Sequence, residues 1–241
     1  MKPFAPCRIH RPVNEADSFN AAISENPNNQ PAAASSARHK RSVGSWQKFW
    51  GNGRVLNISF MAPVAADLKA RVERLVRQWE PATNLSFNFD DKSAGDIRIF
   101  LGGDLNSSYL GTDALLAPLD APTLNIAVEP DEPEFDLTVL HEFGHALGLQ
   151  HEHLHPKANI PWDVEKLYDY YALHFAWSTE DVDYNILTPL SDDLLMGPYD
   201  KDSIMHYEVP NELTTVDWQV GVNSRISKLD RRNIRKAYPK P

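Results

Sequence analysis

One stretch of the sequence constrains the fold more than any other, a HExxHxxGxxH pattern that begins at His141. On a helix, His141 and His145 lie one turn apart on the same face, so both imidazoles can bind one metal ion. Glu142 is well placed to take a proton from a metal-bound water. Gly148 can end the helix in a left-handed conformation, after which the chain can bring His151 in as a third ligand. Three histidines with one position left for water predict a catalytic zinc site.

The length of the pattern argues against chance. The shorter HExxH form also arises in ordinary helices, where such side chains form a solvated face. Here a glycine and a third histidine extend it, and residues 135–140 give the helix an apolar side to bury. The extended pattern therefore favours a metal site over a chance match.

Composition limits the class of protein. The 241 residues, 42% hydrophobic and 24% charged, are typical of a soluble globular protein and suffice for one domain or for two lobes that flank a cleft. The net charge of -9 argues against a nucleic-acid or anionic-membrane surface, although solubility alone also explains it. No run approaches the ~20 apolar residues of a membrane span. We expect a monomer that acts on a protein or peptide substrate.

The N-terminal segment, residues 1–45, is predicted to be poorly ordered or extended, because it is rich in Pro, Asn, Ala and Ser and lacks periodicity. Cys7 is the only cysteine, so no intramolecular disulfide can form. Its thiolate can bind zinc in place of water and hold the site latent. The basic cluster at residues 38–41 is typical of sites that processing proteases cut. Together they indicate a propeptide that ends near Arg41, although both features are also common in unstructured tails.

Residues 46–241 are predicted to form the catalytic domain, with an N-terminal lobe at about 46–148 and a C-terminal lobe at about 149–241. Apolar and polar alternation predicts strands at 55–60, 85–89 and 96–101 and a short edge strand at 124–128. An amphipathic helix follows Asp67 and ends before Pro81. The sheet, this helix and the zinc-site helix make the fold class α+β.

The C-terminal lobe is predicted to be mostly helical and irregular. Capping residues predict the starts of three helices, at Asp163, Ser178 and Ser227. His153 and His155 follow the motif and can compete as metal ligands. The glycine and the spacing after it favour His151, so we assign the other two to the surface or to positions behind the ligands.

The Ser-Ile-Met-His-Tyr sequence at residues 203–207 resembles the Met-turn of the astacin family, a branch of the metzincin zinc proteases. Glu152, directly after the third histidine, is also similar to that family. The resemblance implies a metzincin-type zincin, with a mixed twisted sheet and two long helices in the N-terminal lobe, a smaller C-terminal lobe and the active-site cleft between them. It also implies that Met205 forms a hydrophobic floor beneath the zinc. Tyr207 would be an additional zinc ligand that can leave to hydrogen-bond the transition state, as a phenol is able to do.

The resemblance covers roughly residues 46–238, and it carries implications for processing. Astacin domains usually have two disulfides, which this chain cannot form. Their glutamate after the third histidine pairs with a buried mature N-terminus, which Glu152 can do only after cleavage. Their propeptides usually block zinc with an aspartate, which leaves Asp17 and Cys7 as alternatives. Family members are secreted, whereas residues 1–30 lack the apolar segment of a signal peptide.

The sequence therefore predicts the zymogen of a zinc-dependent endopeptidase, with Zn²⁺ on the three histidines, Glu142 as general base and Tyr207 at the oxyanion. A matrixin-like protease is the nearest alternative, but Glu152 and Tyr207 favour astacin. A non-proteolytic zinc-binding module would not need Glu142. A zinc amidase or another hydrolase would not need the tyrosine or a cleft for a peptide.

Overall fold

The computed structural model describes residues 6–30, 46–92, 94–191 and 197–241, and the basic cluster at 38–41 lies outside these residues. Six strands form one sheet in the order β1-β5-β6-β4-β2-β3. The strands are β1 (Arg8–Ile9), β2 (Val55–Phe60), β3 (Ser86–Phe89), β4 (Ile97–Leu101), β5 (Ser107–Ser108) and β6 (Leu124–Ile126). β5 and β6 are antiparallel and every other pair is parallel, so the sheet is mixed.

Helices pack on this sheet and form the second lobe. The helices are α1 (Glu15–Glu25), α2 (Ala66–Val76), α3 (Phe135–Ala146), α4 (Val164–Phe175), α5 (Thr179–Val182) and α6 (Lys228–Ala237). α2 and α3 contact each other, and α3 also contacts β5 and β6. The architecture is the α+β fold that the sequence predicts, with α2 and α3 as its two long helices.

Three aromatic donors from distant parts of the chain hold the carboxyl-terminal half of α3. The indole nitrogens of Trp79 and Trp50 donate to the carbonyls of Leu140 and Ala146, at 3.3 and 2.8 Å. The Tyr238 hydroxyl donates to the Leu147 carbonyl at 2.7 Å. Because the last carbonyls of a helix have no partner inside the helix, the bonds to Ala146 and Leu147 help to fix where α3 ends, while the Trp79 bond holds its middle.

The predicted capping residues begin three of the helices. The Asp163 carboxylate accepts from the Lys166 backbone N–H at the start of α4. Ser178 and Ser227 each form a capping box, at the starts of α5 and α6. In each case a side chain of the right length satisfies backbone N–H groups that the helix leaves free.

Residues 6–30 of the N-terminal segment form regular structure, where the sequence predicts a poorly ordered or extended chain. Within residues 6–30, the chain forms β1 and α1, and both pack on the rest of the protein. Asn14 caps α1, and the helix buries only Ser18 and Ala22. Such a short and weakly apolar face gives no periodic signal, and β1 is held by backbone pairing, which no side-chain pattern reveals.

The predicted edge strand at 124–128 is also wrong in its position. The strand exists as β6, but it lies inside the sheet between β4 and β5. The strand beyond it, β5, has only two residues, which is too short to predict from alternation. β1 covers the far side of β5 in parallel register, with Arg8 opposite Ser107.

Buried side chains form two clusters. The larger lies between the sheet, α2, α3 and α6. The smaller contains Cys7 and Tyr207 together with residues of α4 and the turn after it, including Leu167 and Trp177. Among the described residues, no helix has the length and apolar character needed to cross a membrane.

Candidate active site

Two glycines allow α3 to present its histidines. Gly148 has φ +92°, a conformation that other residues rarely adopt, and it turns the chain after the helix. A Cβ atom on Gly144 would collide with the Met205 sulfur, so only glycine lets Met205 pack directly against the helix. These two positions bring His141, His145 and His151 to one point.

The three histidines converge through the same ring atom. The Nε2 atom of His145 lies 3.1 Å from that of His141 and 2.9 Å from that of His151. The Nδ1 atoms of His141 and His145 each lie 2.7 Å from a backbone carbonyl, of Ile204 and Leu149. A carbonyl accepts only, so Nδ1 carries the proton and Nε2 keeps its lone pair for a metal ion.

Burial keeps these imidazoles neutral. It lowers the pKa of His141 to about 4, and it lowers the pKa values of His145 and His151 well below the usual value. Neutral imidazole is the form that binds metal ions. Lone pairs that face each other at about 3 Å repel one another, and a cation between them removes the repulsion.

Glu142 lies beside this point and is fully buried. Its Oε2 accepts a hydrogen bond from the Cys7 thiol at 3.0 Å. Its Oε1 has no hydrogen-bond partner among the described residues. Burial raises the pKa of Glu142 to about 8. A buried carboxylate oxygen without a partner fits a site that also receives water or substrate.

Cys7 is the fourth group at the centre. Its sulfur and one nitrogen of each histidine lie within 4.8 Å of one another, so the four residues can hold a metal ion. Burial, and the charge of Glu142, raise the pKa of the thiol. Asp17, the other predicted blocking residue, lies on α1 with an exposed side chain and is not part of this cluster.

The loop at residues 203–207 closes the site from the C-terminal lobe. Asp230 of α6 fixes it by accepting from the Ser203 hydroxyl at 2.6 Å and from the Ile204 N–H at 2.9 Å. Met205 is buried against Gly144. Tyr207 donates its hydroxyl to the Cys7 carbonyl, and its ring lies 4.4 Å from the His151 ring.

His153 and His155 are buried, contrary to a surface assignment, and they lie behind the ligands. The His153 ring stacks on Tyr207 with centroids 4.4 Å apart and an angle of 28°, and its Nε2 donates to the Asn185 carbonyl at 2.9 Å. The His155 Nε2 donates to the Gly197 carbonyl. The sequence analysis did not predict the contact between His153 and Tyr207. The local sequence offers one indication of it, which is that His153 stands two residues after the ligand His151.

Glu152 faces a separate cavity on the other side of His151. Its Oε1 accepts from the Asp200 N–H at 2.8 Å. Burial raises its pKa to about 8, and the nearby Asp230 and Asp200 act in the same direction. Gln47 and Phe49, from the predicted start of the catalytic domain, line the same cavity.

The model of one peptidase family, Astacin, matches residues 43–239. The chain belongs to the astacin family. This confirms the resemblance drawn from residues 203–207 and Glu152. The three histidines of the cluster lie on α3 and the turn that follows it, inside the matched region, whereas Cys7 lies outside that region.

Solved structures agree with this assignment to the astacin family. One structure of myroilysin has a TM-score of 0.76 and 38% identity, and it covers 80% of this chain and 97% of that chain. A second has a TM-score of 0.62 and 34% identity, and it covers 98% of this chain and 100% of that chain. High choriolytic enzyme 1, a hatching enzyme zinc-protease from Oryzias latipes, is only 19% identical; with a TM-score of 0.56, 83% of this chain and 97% of that chain covered, it shares the fold.

Curated relatives of this astacin-family chain are matrix metalloproteinases. Matrix metalloproteinase-19 of Homo sapiens is 30% identical over 156 residues, which covers 58% of this chain and 29% of that protein. Matrix metalloproteinase-18 of Xenopus laevis is 33% identical over 122 residues, which covers 44% of this chain and 26% of that protein. The chain therefore spans less than a third of the length of the curated relatives it matches.

Proposed function

We propose that this protein is a zinc-dependent endopeptidase, with Zn²⁺ on His141, His145 and His151 and with Glu142 as general base. One observation carries the proposal: three neutral imidazole nitrogens converge beside a buried carboxylate. Zinc is favoured because it is commonly held by three protein ligands with one position left open in catalytic sites. Membership of a peptidase family supports peptide-bond hydrolysis as the reaction.

A zinc ion held there would supply Lewis acidity, which lowers the pKa of water to about 7 and polarises a carbonyl. Glu142 accepts the proton of the attacking water and later delivers it to the leaving amine. Its Oε1, which has no partner among the described residues, is the oxygen available for this. Met205 packs against α3 at Gly144, between the positions of His141 and His145 in the sequence, and supports the ligand-bearing part of that helix.

Tyr207 stabilises the reacting carbonyl in this proposal. Its hydroxyl already donates to a peptide carbonyl, that of Cys7, in the position next to the histidines. A donor placed there can bind the substrate oxygen as negative charge develops on it. The same hydroxyl is proposed as an additional ligand of the metal in the absence of substrate.

The decisive experiment compares two glutamine variants. Glu142→Gln should keep zinc and fold but lose activity on casein by about 10²-fold or more, the usual contribution of a general base. Glu165→Gln, on an exposed position of α4, is the matched control and should be unchanged. Zinc content by mass spectrometry and casein cleavage with and without a chelator are the readouts. Full activity in Glu142→Gln would refute the assignment.

The Tyr207→Phe variant tests the second role. It should lower turnover by about 10²-fold, in the range found for one oxyanion donor, while zinc stays bound. If the variant instead loses its zinc, Tyr207 is a structural ligand.

Latency forms the second part of the proposal. Residues 1–45 act as a propeptide and residues 46–241 as the catalytic domain, divided into lobes at about 46–148 and 149–241. Cys7 is the blocking residue, supported by its contact with Glu142 and its place among the histidines. The Cys7 thiol is hydrogen-bonded to the general base, and its sulfur fills the space that the attacking water needs. We propose a secreted monomer that acts on proteins or peptides.

An intact-mass time course tests latency. With zinc present, the protein should lose its first residues near Arg41 and then digest casein, whereas Glu142→Gln should stay intact. Cys7→Ser should start digestion earlier, since a hydroxyl is a poorer zinc ligand than a thiolate. Casein digestion by the uncut chain would refute the propeptide. Zinc binding without any cleavage would instead favour a non-proteolytic binding module.

A further inference from the structure

A second cavity lies on the C-terminal lobe next to Tyr207, and none of the three metal-site histidines lines it. Besides Tyr207, four aromatic side chains line it: Trp162, Tyr170, Tyr171 and Phe175. Tyr171 is buried, and the other three are partly exposed. The reaction as proposed uses none of these rings. The faces of these rings offer an apolar, electron-rich surface to a side chain that enters the cavity.

The N-terminal segment places a residue in this aromatic cavity. Pro6 lines it, and the carbonyl of the next residue, Cys7, accepts the hydrogen bond from Tyr207. A peptide that brings a carbonyl to Tyr207 therefore brings a neighbouring residue to the aromatic cavity. The cavity is in reach of a substrate bound for cleavage.

One charged group lines the aromatic cavity, the carboxylate of Glu208. It is partly buried, and it makes no hydrogen bond or ion pair with any described residue. No lysine, arginine or histidine is among the described residues that line the cavity. Partial burial removes water from the Glu208 carboxylate, and no cation among the described lining residues replaces that water. A cation would offset the cost of that lost water.

We propose that the aromatic cavity is a substrate subsite for a lysine or arginine side chain, with Glu208 as the specificity-determining residue. The rings bind the aliphatic stem and attract the cation through their faces, and the carboxylate pairs with the charge. The inference rests on the proposed peptidase function. It adds the class of substrate, a peptide with a basic residue beside the cleaved bond.

The direction of the chain predicts which side of the bond carries the basic residue. β1 runs parallel to β5, and Pro6 lies on its amino-terminal side. Antiparallel pairing is the more stable kind, so a substrate on β5 runs the opposite way. Because the two chains run in opposite directions, the substrate residue that takes the place of Pro6 is one that follows the cleaved bond. The basic residue is the first or second one after it.

The test uses the zinc-loaded protein, after its activity on casein has been established, and a set of quenched fluorescent peptides. The peptides differ only at the first or second position after the cleaved bond, which carries Arg, Lys, Leu or Glu. The Arg and Lys peptides should exceed the Leu peptide in kcat/KM by about tenfold, as a desolvated cation–π contact with a carboxylate allows. Mass spectrometry of the products locates the cleaved bond.

Charge variants assign the preference to Glu208. Glu208→Gln should reduce the ratio of kcat/KM for Arg over Leu to about one, and Glu208→Lys should turn the preference towards the Glu peptide. Glu165→Gln, exposed on α4, keeps the ratio. Zinc content and the unfolding temperature of each variant show that the fold is retained.

Equal rates for Arg, Leu and Glu peptides, or a preference that survives in Glu208→Gln, would overturn the subsite while leaving the peptidase function in place. A basic preference located before the cleaved bond would overturn the proposed direction and with it this cavity as the site. Absence of zinc-dependent casein cleavage would instead overturn the peptidase function, and the subsite falls with it.

Discussion

The orientation of the Tyr207 ring depends on His153, which makes no hydrogen bond to the Tyr207 hydroxyl. The His153 ring stacks on the phenol, and the Asn185 carbonyl holds His153 in turn. A buried stack of this kind restricts the plane of the phenol. It thereby determines where the hydroxyl can donate.

We therefore expect His153→Leu to lower kcat more than it raises KM, through Tyr207. In a Tyr207→Phe background the same change should have little further effect, giving a coupling energy of about 1 kcal/mol. Steady-state kinetics of the two single variants and the double variant measure it. Independent, additive losses, or loss of zinc from His153→Leu, would show a structural role instead.

The contact between Gly144 and Met205 predicts a difference between two glycines. Gly144→Ala should destabilise the protein by about 1–3 kcal/mol, because the new methyl group must displace the methionine sulfur. Gly221→Ala is the control, since nothing lies near its Cβ position and its φ is not positive. Urea unfolding compares the two variants. Equal stability would mean that Met205 moves freely.

At the scale of elements, polar contacts join α1 and the turn after it to residues 48, 49 and 113. Asn29 donates from Nδ2 to the Phe49 carbonyl at 2.8 Å and accepts from the Phe49 N–H at 3.0 Å. The Ser18 hydroxyl donates to Asp113 at 2.6 Å, and Asp113 also pairs with Lys48 at 2.5 Å in a buried ion pair.

Asn29→Ala should loosen this junction, because it leaves two buried backbone groups of Phe49 without partners, at a cost of about 1–3 kcal/mol. The expected result is faster amide exchange throughout α1 and earlier loss of latency. Asn28→Ala, at the exposed neighbouring position, is the control and should change neither. Hydrogen exchange measured by mass spectrometry reads this out, and identical rates in both variants would contradict the role of Asn29.

Elements set by local patterns could be predicted, and elements set by distant contacts could not. β2 has its predicted bounds, and the capped helices α4 and α6 start within a residue of their predicted caps, because alternation and caps act over a few positions. β5 and β1 have two residues each and exist only through pairing. Within the site, spacing along α3 predicts the metal histidines, whereas the Cys7–Glu142 and His153–Tyr207 contacts depend on how the lobes close.

At the scale of the whole molecule, the proposed metal site draws its histidines from both lobes. His141 and His145 lie on α3, on the sheet side, whereas the Ile204 carbonyl that holds the His141 ring comes from the second lobe. Dialysis against a chelator should abolish activity and lower the unfolding temperature. Zinc that binds only the folded state stabilises that state, by ~4 kcal/mol when free zinc is in thousandfold excess over its Kd. Calorimetry with zinc restored measures the return, and a melting temperature indifferent to zinc would contradict it.

The parallel pairing of β1 with β5 has a kinetic consequence. With substrates running antiparallel to β5 as proposed, β1 presents its amides and carbonyls in the wrong order for attack, so a molecule does not cut the segment in its own site. While that segment fills the site, we expect the cut near Arg41 to be made by a second molecule whose cleft is already open. Activation should therefore begin with a lag that shortens as protein concentration rises, and a trace of processed enzyme should remove the lag altogether.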